Sequence, residues 1–289
     1  MRWRGQRQSS NVEDRRGLRI TRGGMVGGGL GMVALMLIGM FLGIDPRLIL
    51  GGAQIVESVA PPTVEDTGPY QETPAEAEAR EFLAVVLADT EDVWAARFAE
   101  LGGSYRPPKL VLFNGAVQSG CGFAEAAMGP FYCPPDERVF IDTSFFDDLD
   151  RRLGAGGDFA RAYVVAHEIG HHVQNLLGTS GEVRDLQQRL GGTEANQLSV
   201  RLELQADCYA GVWAHHAERM RGILEAGDIE EALGAAAAVG DDRLQRQAQG
   251  YVVPDSFTHG TSEQRVRWFK KGLETGDIRQ GDTFKAESL

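Results

Sequence analysis

Cysteine is scarce in this sequence. Three thiols in 289 residues cannot build a disulfide scaffold, although two of them can make one bridge. Basic charge is scarce as well. The net charge is -12, even though residues 1–44 carry seven arginines against only Glu13 and Asp14. The remainder is more acidic than the total, and an acidic body repels phosphate backbones, which excludes nucleic acid as a partner. Only one long apolar run is present, which excludes a multi-pass membrane protein. There is no internal repeat. A hydrophobic content of 43% is too rich in core-forming residues for a mainly disordered chain.

The one apolar run lies between Gly23 and Ile44 and holds no charged residue. As a helix it spans roughly 33 Å, about the thickness of a bilayer's hydrocarbon core. A cleavable signal peptide ending near Gly51-Gly52-Ala53 is the rival, but the run is long for one. The expectation is an uncleaved single-pass anchor in membrane lipid. Arginines before the span place the N-terminus in the cytoplasm and the main body outside a bacterial inner membrane. Residues 1–22 are then a basic cytoplasmic leader, 23–44 the anchor, 45–74 a proline-rich linker and 75–289 one domain.

Within that domain, apolar residues recur at helical spacing from Ala75 to Gly102. Lys109–Phe113 and Val139–Asp142 read as short strands, the second a candidate edge for binding substrate backbone. From Asp158 onward the pattern is helical. One helix is expected from an Asp158 N-cap to Leu177, with Gly178 as its stop. A second is expected from about Ala195 to about Met220. A last one begins near Thr261, with Gln264 at capping-box spacing. The fold class is α+β, mostly helical.

The chemistry lies in His167-Glu168-Ile169-Gly170-His171, an HExxH motif. Residues four apart stack on one helix face, so His167 and His171 can share one metal ion, and Glu168 can reach a water beside it. The apolar run Ala162–Ala166 just before them marks a buried helix, where a His-Glu-His cluster needs partners. Two histidines and a carboxylate suit Zn²⁺, one per chain, with a third protein ligand still to be found. The metzincin extension is excluded, because Gln174 and Leu177 stand where it needs glycine and histidine. Glu182, Asp185, Glu194, Glu203 and Asp207 remain. Glu203 and Asp207, four apart in an apolar helix, divide the work best: Glu203 on the metal, and Asp207 accepting a hydrogen bond from a ligating imidazole.

The segment His167–His172 followed by Glu203-Leu204-Gln205-Ala206-Asp207 resembles the bacterial neutral zinc metallopeptidase family (YpfJ-like). The opening Met1-Arg2-Trp3-Arg4-Gly5 and the stretch from Ser119-Gly120-Cys121 to Cys133-Pro134 extend the resemblance over nearly the whole chain. More distantly, HExxH with a later ExxxD is similar to HtpX-like membrane gluzincins. That resemblance implies a gluzincin-like domain in which Glu203 binds zinc and Asp207 supports a ligand. It also draws attention to His259, six residues before Arg265, as a group to steady an oxyanion or gate the zinc. A helix-entry histidine without a catalytic part is the plain alternative. His172, His215 and His216 read as structural. Cys121 and Cys133 are candidates for a disulfide, and Cys208 reads as a small buried residue.

The resulting expectation is a membrane-anchored zinc metallopeptidase, an endopeptidase acting on peptide or protein substrates. His167, His171 and Glu203 hold the metal, and Glu168 and His259 serve catalysis. A tethered chaperone or adaptor keeping a structural zinc is the competing class. Glu168 discriminates between them, because a structural site needs no carboxylate beside its ligand.

Overall fold

The computed structural model describes residues 1–21, 63–66, 68 and 70–289. It is mostly helical with small sheets, an α+β arrangement. The first long helix, α1, runs Pro74–Glu100. Thr73 starts it with a complete capping box: its side chain accepts the Glu76 N–H, and the Glu76 carboxylate accepts the Thr73 N–H. Pro74 fills the first turn, where its missing N–H costs nothing. From Phe82 to Trp94 nearly every side chain of α1 is buried.

The main sheet has the order β1-β4-β8-β7, formed by Val12–Asp14, Lys109–Phe113, Arg138–Asp142 and Phe131–Cys133. β1 and β8 run parallel to β4, and β7 runs antiparallel to β8. β4 and β8 are buried on both faces, which explains their unbroken apolar runs. The expected edge role of Val139–Asp142 is corrected here. β8 is bonded to β4 on one side and β7 on the other, so among the described residues the edge on that side belongs to β7. Three residues between Pro130 and Pro134 are too short for β7 to show a strand's alternation. Ala116–Ser119 (β5) and Gly122–Glu125 (β6) form a separate hairpin.

The helical half comprises α2 (Ser144–Arg151), α3 (Asp158–Leu176), α4 (Thr179–Arg189), α5 (Gly192–Arg221), α6 (Asp228–Ala238), α7 (Asp241–Gln249) and α8 (Ser262–Thr275). α3 is the central helix, packed against α1, α5 and α6. Asp158 is its first residue rather than its cap. Gly157 holds the cap position at φ +118°, and the Asp158 carboxylate accepts Trp3 Nε1–H at 3.0 Å. α8 has the capping box its spacing predicts, with Thr261 and Gln264 bonded reciprocally.

The N-terminal residues join this body instead of standing apart from it. Trp3 is buried against Phe82, their rings 5.4 Å apart and edge to face. Ser9 and Asn11 bond Glu91 of α1. β1 lines the sheet, and the buried Arg16 is held by Asp14 and Glu72. Leu18–Thr21 (β2) pairs antiparallel with Thr63–Asp66 (β3), so part of the expected linker is a strand. These contacts correct the predicted localisation. A single crossing at 23–44 puts residues 1–22 and 75–289 on opposite sides of a bilayer, yet the described parts of both pack together. Among the described residues, no helix is long and apolar enough to cross a membrane. The run 23–44 and most of the expected linker lie outside the described residues.

Trp3→Ala removes a buried indole and should lower unfolding stability by about 3–5 kcal/mol, the usual range for such truncations. Urea denaturation measures it. A loss under about 1 kcal/mol contradicts the packing of the leader on α1 and α3.

Candidate metal centre

Two helix crossings bring the chemistry together. α3 and α5 meet at Gly170, where a Cβ would stand 2.9 Å from the Ala206 carbonyl oxygen and 3.1 Å from its Cα. Glycine between the two histidines therefore lets the backbones approach closely enough for His167 and His171 to reach Glu203 across the crossing. α5 and α8 meet at Gly211 and Gly272, where added Cβ atoms overlap the Phe269 and Cys208 carbonyls. That contact carries Arg265 of α8 to Asp207 of α5.

Glu203 spans both imidazoles. Its Oε2 lies 3.1 Å from His167 Nε2, and its Oε1 lies 3.3 Å from His171 Nε2. One ligand atom from each of the three residues falls within 4.8 Å of the others, the only such group among the described residues. Glu182, Asp185 and Glu194 are not part of it. The opposite ring nitrogens are committed elsewhere. His167 Nδ1–H donates to Asp207 Oδ1 at 2.8 Å. His171 Nδ1–H donates to Gln174 Oε1 at 2.9 Å. The amide of Gln174 is oriented by its own Nε2–H bond to the Leu202 carbonyl at 2.7 Å.

Two ring nitrogens facing two carboxylate oxygens need a cation between them or a proton on each ring. Two imidazoles and a carboxylate are a donor set that zinc would suit, and acceptors already hold the far side of each imidazole. The electrostatics agree. Burial opposes a charge on His167, but Asp207 and Glu203 outweigh it and raise its pKa to about 10. Burial likewise opposes charge on Glu203, yet the two imidazoles hold its pKa well below the usual carboxylate range.

Asp207 is fully buried and accepts four hydrogen bonds. They come from His167 Nδ1, Tyr163 OH at 2.5 Å, Arg265 Nε at 2.9 Å and Arg265 Nη2 at 3.0 Å. Against the cost of burial, Arg265 and His167 keep this carboxylate ionised and its pKa lowered. Tyr163 is buried, which raises its pKa and leaves the phenol a donor. Sequence reasoning gave no role to Tyr163, Gln174 or Arg265. Tyr163 was hidden in an apolar run, and Gln174 marked only a missing glycine. Arg265 had one signal, its spacing from His259.

Glu168 is buried beside His171, whose pKa its charge helps to raise. Unlike its neighbours, it has no hydrogen-bond or ion-pair partner among the described residues. His259 is half exposed at the end of the 250–260 loop, with Nδ1 3.2 Å from Asp241 Oδ1. The hydrogen bond that His259 donates to Asp241 raises its pKa, opposed by burial and assisted by the charge of Glu203.

The other histidines serve the scaffold. His172 is fully buried, its Nε2–H donating to the Arg106 carbonyl and its Nδ1 accepting from Tyr132 OH of β7. Burial lowers its pKa. His215 and His216 bond the carbonyls of Leu273 and Gly276. Cys121 and Cys133 form a disulfide joining the β5–β6 turn to the end of β7. Cys208 is free and buried, its thiol pushed up to about 12 by burial.

The family model described as "Putative neutral zinc metallopeptidase" matches residues 1–284. The uncharacterized protein YpfJ of Escherichia coli (strain K12) is 49% identical over 295 residues, covering 98% of this chain and 99% of that protein. The uncharacterized protein Rv2575 of Mycobacterium tuberculosis is 45% identical over 223 residues, 74% of each chain. The uncharacterized protein Mb2605 of Mycobacterium bovis has the same identity and coverage. No solved structure matches. The family match spans the leader, the HExxH helix, Glu203 and the loop of His259 alike, and the chain belongs to this family of neutral zinc metallopeptidases.

Proposed function

We propose that the chain is a zinc-dependent endopeptidase, with His167, His171 and Glu203 as the metal ligands and Glu168 as the general base. The carrying observation is the contrast between Glu168 and the carboxylates around it. Glu203 and Asp207 are fully engaged by histidine, tyrosine and arginine donors, while Glu168, next to His167 in the chain, has no hydrogen-bond partner among the described residues. A scaffold site has no use for a carboxylate beside its ligands that bonds none of them. A hydrolase needs one to accept a proton.

Zinc, when bound, supplies Lewis acidity that acidifies water toward a pKa of about 7 and polarises a carbonyl. Glu168 takes the proton of the attacking water on a carboxylate oxygen and delivers it to the leaving amine. Asp207 holds His167 through Nδ1, and Gln174 holds His171 in the same way, so both rings keep Nε2 toward Glu203. Tyr163 and Arg265 prevent Asp207 from turning away. His259 offers Nε2–H to the oxyanion of the tetrahedral intermediate. Substrate main chain lies along the free edge of β7, which Tyr132 ties to α3 through His172 and Asn175.

The test is cleavage of dye-labelled, unfolded casein by the purified chain. Hydrolysis should be lost in a chelator and return when stoichiometric zinc is restored. Cleavage that persists unchanged after zinc has been stripped rules out this chemistry.

A further inference from the structure

Behind His171, buried side-chain amides lead from the metal group to the C-terminal turn. Gln174 is fully buried, and both N–H bonds of its amide are used on α5. Its Nε2 donates to the Leu202 carbonyl at 2.7 Å and to Gln205 Oε1 at 3.1 Å. Leu202 and Gln205 stand on either side of Glu203 in the chain, so one amide from α3 grips α5 around the shared carboxylate. Gln205, also buried, then donates its own Nε2–H to the Gly281 carbonyl at 2.9 Å. Gly281 ends a short 3₁₀ turn, Ile278–Gly281, which is pressed onto α5: an added Cβ would stand 2.8 Å from the Tyr209 ring. Just beyond it, Thr283 is fully buried. Its hydroxyl donates to the Arg201 carbonyl at 2.6 Å, and Arg201 Nη1 donates back to the Thr283 carbonyl. Arg201 and Gln205 are four apart on α5, so one helix face holds this segment twice.

The direction of the relay is set from its far end. A main-chain carbonyl only accepts, so Gln205 must turn its NH₂ to Gly281 and its Oε1 to Gln174. Gln174 must then turn its NH₂ toward α5, where Leu202 makes the same demand, and its Oε1 toward His171 Nδ1 at 2.9 Å. An imidazole that donates from Nδ1 keeps the Nε2 lone pair for a metal. The bond to Leu202 alone would choose which end of the Gln174 amide faces α5 but leave its plane free to pivot. The second bond, to Gln205, fixes the plane and with it the direction in which Oε1 points.

We propose that Gln205 is a positioning residue for the metal centre: it acts through Gln174 to hold the tautomer and ring direction of His171, and the Gly281 turn is its anchor. The proposal rests on the reading of His171 as a zinc ligand. Such coupling works in both directions. If the docked turn tightens zinc binding, bound zinc tightens the docking of the turn.

Gln205→Met keeps the length of the side chain and removes both hydrogen bonds. Gly281 is not stranded, because its carbonyl also accepts the Thr283 N–H at 2.8 Å. In competition with a chromophoric zinc chelator, the purified variant should bind zinc about tenfold more weakly than the wild type. Gln174→Met should lose about 10- to 100-fold. The double variant should be no weaker than Gln174→Met alone, since Gln205 acts through Gln174. In the wild type, adding zinc should slow hydrogen exchange at residues 278–286 by more than at the β5–β6 hairpin, which the relay does not reach.

Wild-type zinc affinity in Gln205→Met makes the residue a tether for the C-terminal segment only and overturns the proposal, while the metal-centre reading stands. So does a Gln205→Met loss that adds in full to that of Gln174→Met. Should the variant not fold, the exchange measurement decides on the wild type alone: residues 278–286 no more sensitive to zinc than the hairpin sink the proposal. If the wild type binds no zinc, the metal-centre reading fails and takes the proposal with it.

Discussion

Glu168→Gln should keep its zinc and its melting temperature while casein hydrolysis falls by about 10² to 10⁴-fold, the usual cost of losing a general base. The substitution preserves the shape and polarity of the side chain but cannot accept a proton at neutral pH. Glu168 bonds to nothing else in the described structure, so its replacement strands no partner. Zinc content by metal analysis, melting and hydrolysis are therefore expected to separate cleanly. A scaffold that merely holds zinc predicts the opposite result in cells, with Glu168→Gln replacing the wild type in full. That outcome would sink the peptidase reading even with zinc bound.

The second large effect distinguishes the metal's own ligand from the group behind it. Glu203→Ala removes the carboxylate that spans both Nε2 atoms, and the purified variant should hold almost no zinc. Asp207→Asn should keep much of the metal while losing affinity or activity by about 10- to 100-fold. It should also be less stable, because Arg265 is buried and Asp207 is the only anion it bonds among the described residues. Breaking such a pair on one side typically costs about 3–5 kcal/mol. One zinc per chain retained by Glu203→Ala would place the third ligand elsewhere.

The mostly helical fold, the HExxH helix, the Thr261 capping box and the candidacy of Glu203 and Asp207 were legible in the sequence, because each is a matter of spacing within one helix. What was not legible depends on which helices cross. Gly170 sits in the motif as an unremarked letter, and its meaning appears only against Ala206. Arg265 lies 58 residues from Asp207, and periodicity cannot join them. Tyr163 counted as one more apolar residue of a buried run, although its hydroxyl bonds the central carboxylate. The edge strand was misplaced because β7 has three residues. The leader was misread for a related reason. Its arginines obey the charge rule for a cytoplasmic flank, but Arg7 and Arg16 are spent on acidic partners within the fold.

The way that leader is pinned has a consequence for how the chain matures. The Arg2 N–H bonds the Ile223 carbonyl, β1 pairs with residues 110–112, and Trp3 bonds the start of α3. Arg2 therefore waits for an acceptor more than 200 positions later, while Trp3 and β1 find partners on α1, the sheet and α3. A chain paused after α3 still lacks the Ile223 acceptor. Contacts this distant in sequence pay their loop-closure entropy before they return any energy, which slows folding. The donor set is itself split between α3 and α5, so metal-binding competence should arise late, close to the moment when the N-terminus finds its acceptor just past the end of α5.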